Sequence, residues 1–146
     1  MDIRSLYQDI ILDNASHPQF QKRLSGTRIQ KVLVNNPTCG DRLVINGIYQ
    51  HHKLEAIYFH INGCIISKAS TNMMAHLVIH HSIKQIDDLV LSFSKLMTNE
   101  DFANKDKLGD ALSLSSVAKL PVRIKCAMLP WKGIYQLLHR EVHHEN

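Results

Sequence analysis

The strongest constraint on the fold is a change of period just after residue 61. Before it, three short apolar runs alternate with polar residues: Ile29 to Val34, Leu43 to Tyr49 and Leu54 to Ile61. In the last of these, Ile57, Phe59 and Ile61 alternate with Tyr58 and His60, the pattern of a strand with one buried face. Asn35-Asn36-Pro37 cuts the first run, and the polar cluster Gln50 to Lys53 turns the chain between the second and third. Three strands with connections this short predict an antiparallel meander. Beyond Cys64 the spacing becomes helical. Ala69, Met73, Met74, Leu77 and Val78 share one stripe, with Ser67 or Ser70 as the expected N-cap. Ile86, Leu89, Val90, Phe93, Leu96 and Met97 form a second stripe. A helix over residues 3–14, with Ile3, Leu6, Tyr7, Ile10 and Ile11 on one face, precedes the strands and stops at His17-Pro18. The polar stretch 99–110 reads as a loop with at most one short turn, Leu112 to Leu120 as a short helix, and Ala127 to Arg140 as the last helix. Strands first and helices after predict an α+β fold: a three-stranded antiparallel sheet with helices packed on one face.

Composition narrows the function classes. A chain of 146 residues, 45% hydrophobic, is expected to form a single domain, residues 1–146, with a core that needs no staples. No apolar run approaches the length of a membrane span, and the opening Met1-Asp2-Ile3-Arg4 lacks a signal pattern, so a cytoplasmic location is expected and a membrane partner is not. Three cysteines, an odd number, argue against a disulfide framework. The net charge of +4 comes from basic residues scattered singly or in pairs, such as Lys22-Arg23, Lys53 and Lys84, without interleaved aromatics. Nucleic acid is therefore not an expected partner. Three histidine pairs, His51-His52, His80-His81 and His143-His144, lack the helical spacing of a metal motif and read as exposed polar residues. Met73, Met74 and Trp131 read as core.

The informative residues lie where elements meet. Cys39-Gly40-Asp41 falls in the loop between the first two strands, Cys64 follows the third strand through Gly63, and Cys126 lies near the last helix. Thiols at element ends can converge from distant parts of a chain at the sheet–helix edge. Three thiolates and a carboxylate are ligands of the kind zinc takes, yet there is no Cys-x-x-Cys, and by spacing alone the thiols read equally well as small buried hydrophobes. The neighbours favour metal. Gly40 lets the backbone aim Cys39 and Asp41 at one point, the helix after Cys64 offers a positive N-terminus, and Arg123 and Lys125 set cations beside Cys126.

Three stretches carry a resemblance: Asn36-Pro37-Thr38-Cys39-Gly40-Asp41, Gly63-Cys64-Ile65-Ile66-Ser67-Lys68-Ala69-Ser70, and Pro121-Val122-Arg123-Ile124-Lys125-Cys126-Ala127. In this order and spacing they resemble the three motifs of the IscU/NifU-type iron–sulfur scaffold family, and within it the SufU branch. Lys125 stands where the IscU type has histidine, and the interval from Cys64 to Cys126 holds a polar insertion, about 99–118, as in SufU proteins. The resemblance implies a zinc site of Cys39, Asp41, Cys64 and Cys126, with Arg123 and Lys125 as electrostatic support. It also implies that Cys39 accepts persulfide sulfur from a SufS-type, pyridoxal-phosphate-dependent cysteine desulfurase and passes it to downstream iron–sulfur assembly proteins. In such proteins zinc exchanges one ligand with a partner histidine, which frees the acceptor thiolate.

Two readings compete with zinc-dependent sulfur transfer. One is a scaffold that assembles a [2Fe–2S] cluster, or holds iron, on the same residues; Lys125 argues against it, because an ammonium donates rather than ligates. The other is a structural zinc module without transfer chemistry. The chain also departs from the family pattern twice. Ile61 replaces a usual glycine and is expected to extend the third strand. Pro130 is expected in the first turn of a helix that starts late, near Ala127, where its missing N–H matters little.

Overall fold

The computed structural model describes residues 2–20 and 28–140. Its strands are β1 (Gln30–Asn36), β2 (Asp41–Gln50) and β3 (Lys53–Asn62), joined as an antiparallel meander in the order β1-β2-β3. The alternation read from the sequence is the burial pattern. Val32, Val34 and Asn36 of β1 and Leu43 and Ile45 of β2 face inward with Ile57, Phe59 and Ile61 of β3. An irregularity at Ile48/Tyr49 lets Leu54 face inward too, out of phase with Ile57. Ile61 pairs with Leu43 and extends the strand as expected.

The helices are α1 (Ile3–Ser16), α2 (Ile65–Val78), α3 (Ile83–Met97) and α4 (Pro121–His139), with a 3₁₀ segment at Lys105–Lys119. Together α2 and α4 cover the inner face of the sheet. Met73, Met74, Leu43, Ile45, Phe59 and Ile134 are all almost wholly buried there. Trp131 stacks on Phe93 with ring centroids 4.5 Å apart, so α3 is held against α4. Ser82 and Gln85 form a reciprocal capping box that starts α3. None of the described helices is long and apolar enough to cross a membrane.

Four local expectations are corrected. Cys64, rather than Ser67 or Ser70, is the N-cap of α2. On α1, Ile3 is 66% and Leu6 46% exposed; the docked face is set by Ile11 and Asn14. Asn14 donates to Asp110 at 3.1 Å and accepts from Asn72 at 2.8 Å, so polar contacts complete that docking. The stretch expected as loop plus short helix is 3₁₀ from Lys105, kinked at Gly109; beside the buried Ser113 and Ala118, Leu108, Ala111, Leu114 and Val117 are buried at every third position. That is the repeat of a 3₁₀ helix, which a search at 3.6 residues per turn passes over.

The fourth correction bears on the site. The last helix begins at Pro121, so Pro130 lies inside it and Cys126 sits in its second turn. Proline has no N–H for the carbonyl four residues back, which is that of Cys126. Next to this defect the Ala127 carbonyl takes a hydrogen bond from the Ser70 hydroxyl at 2.6 Å, and the Trp131 indole N–H donates to the same hydroxyl at 3.1 Å. The Cys126 carbonyl thus loses its helical partner, and beside it a Ser70 side-chain latch ties α4 to α2. Lys22, Arg23 and the His143-His144 pair lie outside the described residues.

Candidate metal and sulfur centre

The site is assembled from three element ends. After β1 the chain makes a tight turn, with the Cys39 N–H donating to the Asn36 carbonyl at 3.2 Å. Gly40 follows at φ +74°, a left-handed conformation that costs a glycine little. The turn puts Asp41 at the start of β2, 2% exposed and directly opposite Asn36. At the far end of β3, Cys64 caps α2, its Sγ accepting from the Ser67 N–H at 3.4 Å. From α4, Cys126 enters fully buried.

Cys39, Asp41 and Cys126 converge: their ligand atoms lie within 4.8 Å of one another. The Cys126 thiol donates to Cys39 Sγ at 3.2 Å, although 87 positions separate the two residues. Cys39 is half-buried and reachable, whereas Cys126 is sealed. Cys64 stands beside this group rather than within it. Its thiol is turned toward the α2 N-terminus, but its backbone N–H donates to Asp41 Oδ1 at 3.0 Å. Burial pushes the Cys126 thiol well above the ordinary range, and the neighbouring Cys39, Asp41 and Cys64 groups push it the same way. Without a cation, this site holds its proton. The Cys126 thiol, followed by the charge of Cys64 and Cys39, favours the charged form of the exposed Arg123 guanidinium and keeps it firmly protonated. Lys125 is exposed, and among the described residues no hydrogen bond ties it to the thiols.

Two functional neighbours escaped the sequence reading. Asn36 donates to Asp41 Oδ2 at 3.3 Å and lies 3.6 Å from Cys126 Sγ. Ser67, fully buried, donates to Asp41 Oδ1 at 3.1 Å. A signal existed for the first: Asn36 continues the inward phase of Val32 and Val34, so a polar side chain was due on the buried face. Ser67 had only its position, one turn after Cys64.

The donor set fits a thiophilic cation. Two thiols and a carboxylate already converge, a third thiol is adjacent, and the Cys126 proton is one that a dication would displace.

Comparison with known proteins agrees. The family described as NifU-like N terminal domain matches residues 6–127. The chain is 35% identical over 138 residues to the iron-sulfur cluster assembly scaffold protein IscU of Streptococcus pyogenes, covering 94% of this chain and 86% of that protein. It is 32% identical over 140 residues to the zinc-dependent sulfurtransferase SufU of Bacillus subtilis, covering 96% and 94% respectively. Among solved structures, a putative SUF-system iron–sulfur scaffold protein from Fervidobacterium islandicum superimposes with a TM-score of 0.82 at 25% identity, over 92% of this chain and 98% of the other. The motifs, the meander with its helical cover and these relatives agree, and the chain belongs to the NifU-like N-terminal domain family, as a homologue of the IscU and SufU proteins of iron–sulfur cluster assembly.

Proposed function

We propose that this chain acts as one domain that accepts sulfur for iron–sulfur cluster assembly, in the cytoplasm, from a SufS-type cysteine desulfurase. In this reading Cys39 is the acceptor, and Cys39, Asp41, Cys64 and Cys126 hold a zinc ion. The observation that carries it is the pairing of a reachable Cys39 with a sealed Cys126 and a buried Asp41 at one edge of the fold. A purely structural centre has no need of a reachable ligand. The likeness to the zinc-dependent SufU protein supports the choice of metal.

When bound, zinc keeps its ligating thiols as thiolates near neutral pH. The chain's own residues do the rest. The β1–β2 turn presents Cys39 outward, so its thiolate attacks the outer sulfur of a partner persulfide. The S–S bond of the donor breaks, the donor leaves as a thiolate, and Cys39 carries the persulfide. Arg123 sits where it offsets the negative charge of the thiolates. Cys126 and Asp41, buried and hydrogen-bonded, stay in place while Cys39 reacts.

The test is the rate of a SufS-type desulfurase with and without this chain, comparing wild type with Cys39→Ala and measuring zinc and iron in each preparation. Strong stimulation by zinc-loaded wild type, lost in a folded Cys39→Ala, is expected. No stimulation by folded, zinc-loaded wild type overturns sulfur acceptance. A coloured, iron-loaded chain would then favour the scaffold reading, in keeping with the likeness to IscU.

A further inference from the structure

We propose that Ser67, Asn36 and the Cys64 N–H form a cradle that leaves Asp41 a single oxygen, Oδ2, for the metal. This rests on the metal site proposed above and assigns roles to two residues outside its ligand set. The argument is a count of lone pairs. Each carboxylate oxygen accepts about two hydrogen bonds. Asp41 Oδ1 takes two, from the Cys64 N–H at 3.0 Å and the Ser67 hydroxyl at 3.1 Å. That hydroxyl has one proton and also lies 3.0 Å from the Cys64 carbonyl, but the carbonyl already accepts the Lys68 N–H, and a carboxylate is the stronger acceptor. Oδ2 takes one, from Asn36 Nδ2 at 3.3 Å. Oδ1 is therefore full, and Oδ2 keeps one acceptor position.

Packing enforces the arrangement. Asp41 is 2% exposed, and Ser67 not at all, so water does not substitute for either contact. Gly63 lies against the pair: a Cβ there would come within 2.4 Å of Ser67 Oγ and 2.5 Å of Asp41 Oδ1. The bare backbone at Gly63 is what lets the serine and the aspartate meet. Asn36 adds a link, because its amide group also lies 3.6 Å from Cys126 Sγ and so spans two ligands. A carboxylate pinned at one oxygen adds one donor and one negative charge. A free one can chelate through both oxygens and raise the coordination number.

Ser67 and Asn36 are thus positioning residues for the ligand set. Partners of this kind are worth about 10–100-fold in metal affinity. The experiment takes the full chain as wild type, Ser67→Ala and Asn36→Ala, each checked for folding by circular dichroism. Zinc affinity is read by chelator competition, and Co²⁺ is then added to metal-free protein. Intense visible Co²⁺ bands report four-coordination, and weak ones report five or six.

The expected result is intense bands and tight zinc in wild type. In both folded variants zinc affinity falls about tenfold or more, and in Ser67→Ala, where Oδ1 is freed, the Co²⁺ band intensity drops as well. Ser67→Ala is the sharper probe, because it frees a position on Oδ1 without touching the thiols; if it does not fold, the zinc affinity of Asn36→Ala decides. Wild-type affinity and wild-type band intensity in the folded variants overturn the cradle while leaving the metal site standing. A wild type that binds neither ion overturns the site itself, which separates the two failures.

Discussion

The two ends of the sheet carry the two unusual groups of side chains in this chain, and the structure treats them in opposite ways. At one end Cys39, Asp41 and Cys126 converge, and Asp41, Asn36 and Ser67 are each buried and hydrogen-bonded. At the other end, the β2–β3 turn brings His51 and His52 near the α2–α3 connection, where Leu54 exchanges backbone hydrogen bonds with His80 and His81. Four histidines there look richer in ligands than three cysteines. Yet among the described residues no group of three ligands forms at that end. His51 pairs with the adjacent Glu55 at 3.0 Å, and the His81 ring meets the Ile79 carbonyl at 2.9 Å. Convergence and desolvation, rather than the number of ligand-type residues, separate a site from a surface.

The largest expected effect separates the ends outright. Cys126→Ser is expected to remove tightly bound zinc, from about one ion per chain to near none, because a sealed thiolate is replaced by a neutral hydroxyl. His51→Ala and His80→Ala are expected to leave zinc content unchanged. Metal analysis of the three purified variants checks both statements, and zinc lost from the histidine variants would erase the contrast.

Next comes the packing behind the cysteine end. Trp131→Ala removes the stack on Phe93 and the donor to Ser70, and is expected to cost about 3–5 kcal/mol in urea unfolding. A loss below about 1 kcal/mol would mean that the latch between α2 and α4 does not hold the site together.

The third prediction uses the raised Cys126 pKa. The native chain holds that proton above the unfolded thiol's pKa of about 8.5. The resulting stability is complete below that value and is lost as pH rises above it, by up to about 1.4 kcal/mol per pH unit for one proton. Metal-free wild type is therefore expected to lose stability from about pH 8.5 upward, and metal-free Cys126→Ser to lose less over that window. Equal pH profiles for the two would sink this account.

The smallest effect lies at the histidine end and has the opposite sign. His51 and His52 form a two-residue hairpin turn with φ of 57° and 62°, both left-handed, where glycine is preferred over histidine. His52→Gly is expected to raise stability by about 0.5–1 kcal/mol. A loss of stability would mean that the turn histidines make contacts that matter.

The legible parts of this fold were those in which side chains report a familiar period. The strands were readable because Val32 and Val34, Leu43 and Ile45, and Ile57, Phe59 and Ile61 alternate. α2 and α3 were readable because their apolar residues keep helical spacing. The 3₁₀ segment is hidden because its period is three, and the start of α4 because Pro130 reads as a beginning although it lies mid-helix. Of the four site residues placed by motif, Cys39, Asp41 and Cys126 come together, and Cys64 stands beside them with its thiol toward the α2 N-terminus. Ser67 and Asn36 escaped because their work is done through Asp41, a tertiary relation that neither residue states alone.

Cys39 and Cys126 meet across 87 positions, and this has a consequence for how the protein is made. A ribosome delivers residues in order, so Cys39 and Cys64 leave the exit tunnel as open thiols well before Cys126 exists. Any cation or oxidant met in that interval finds only part of the pocket. Completing the centre thus waits for α4, and the full set of thiols is present only once that helix has emerged and packed.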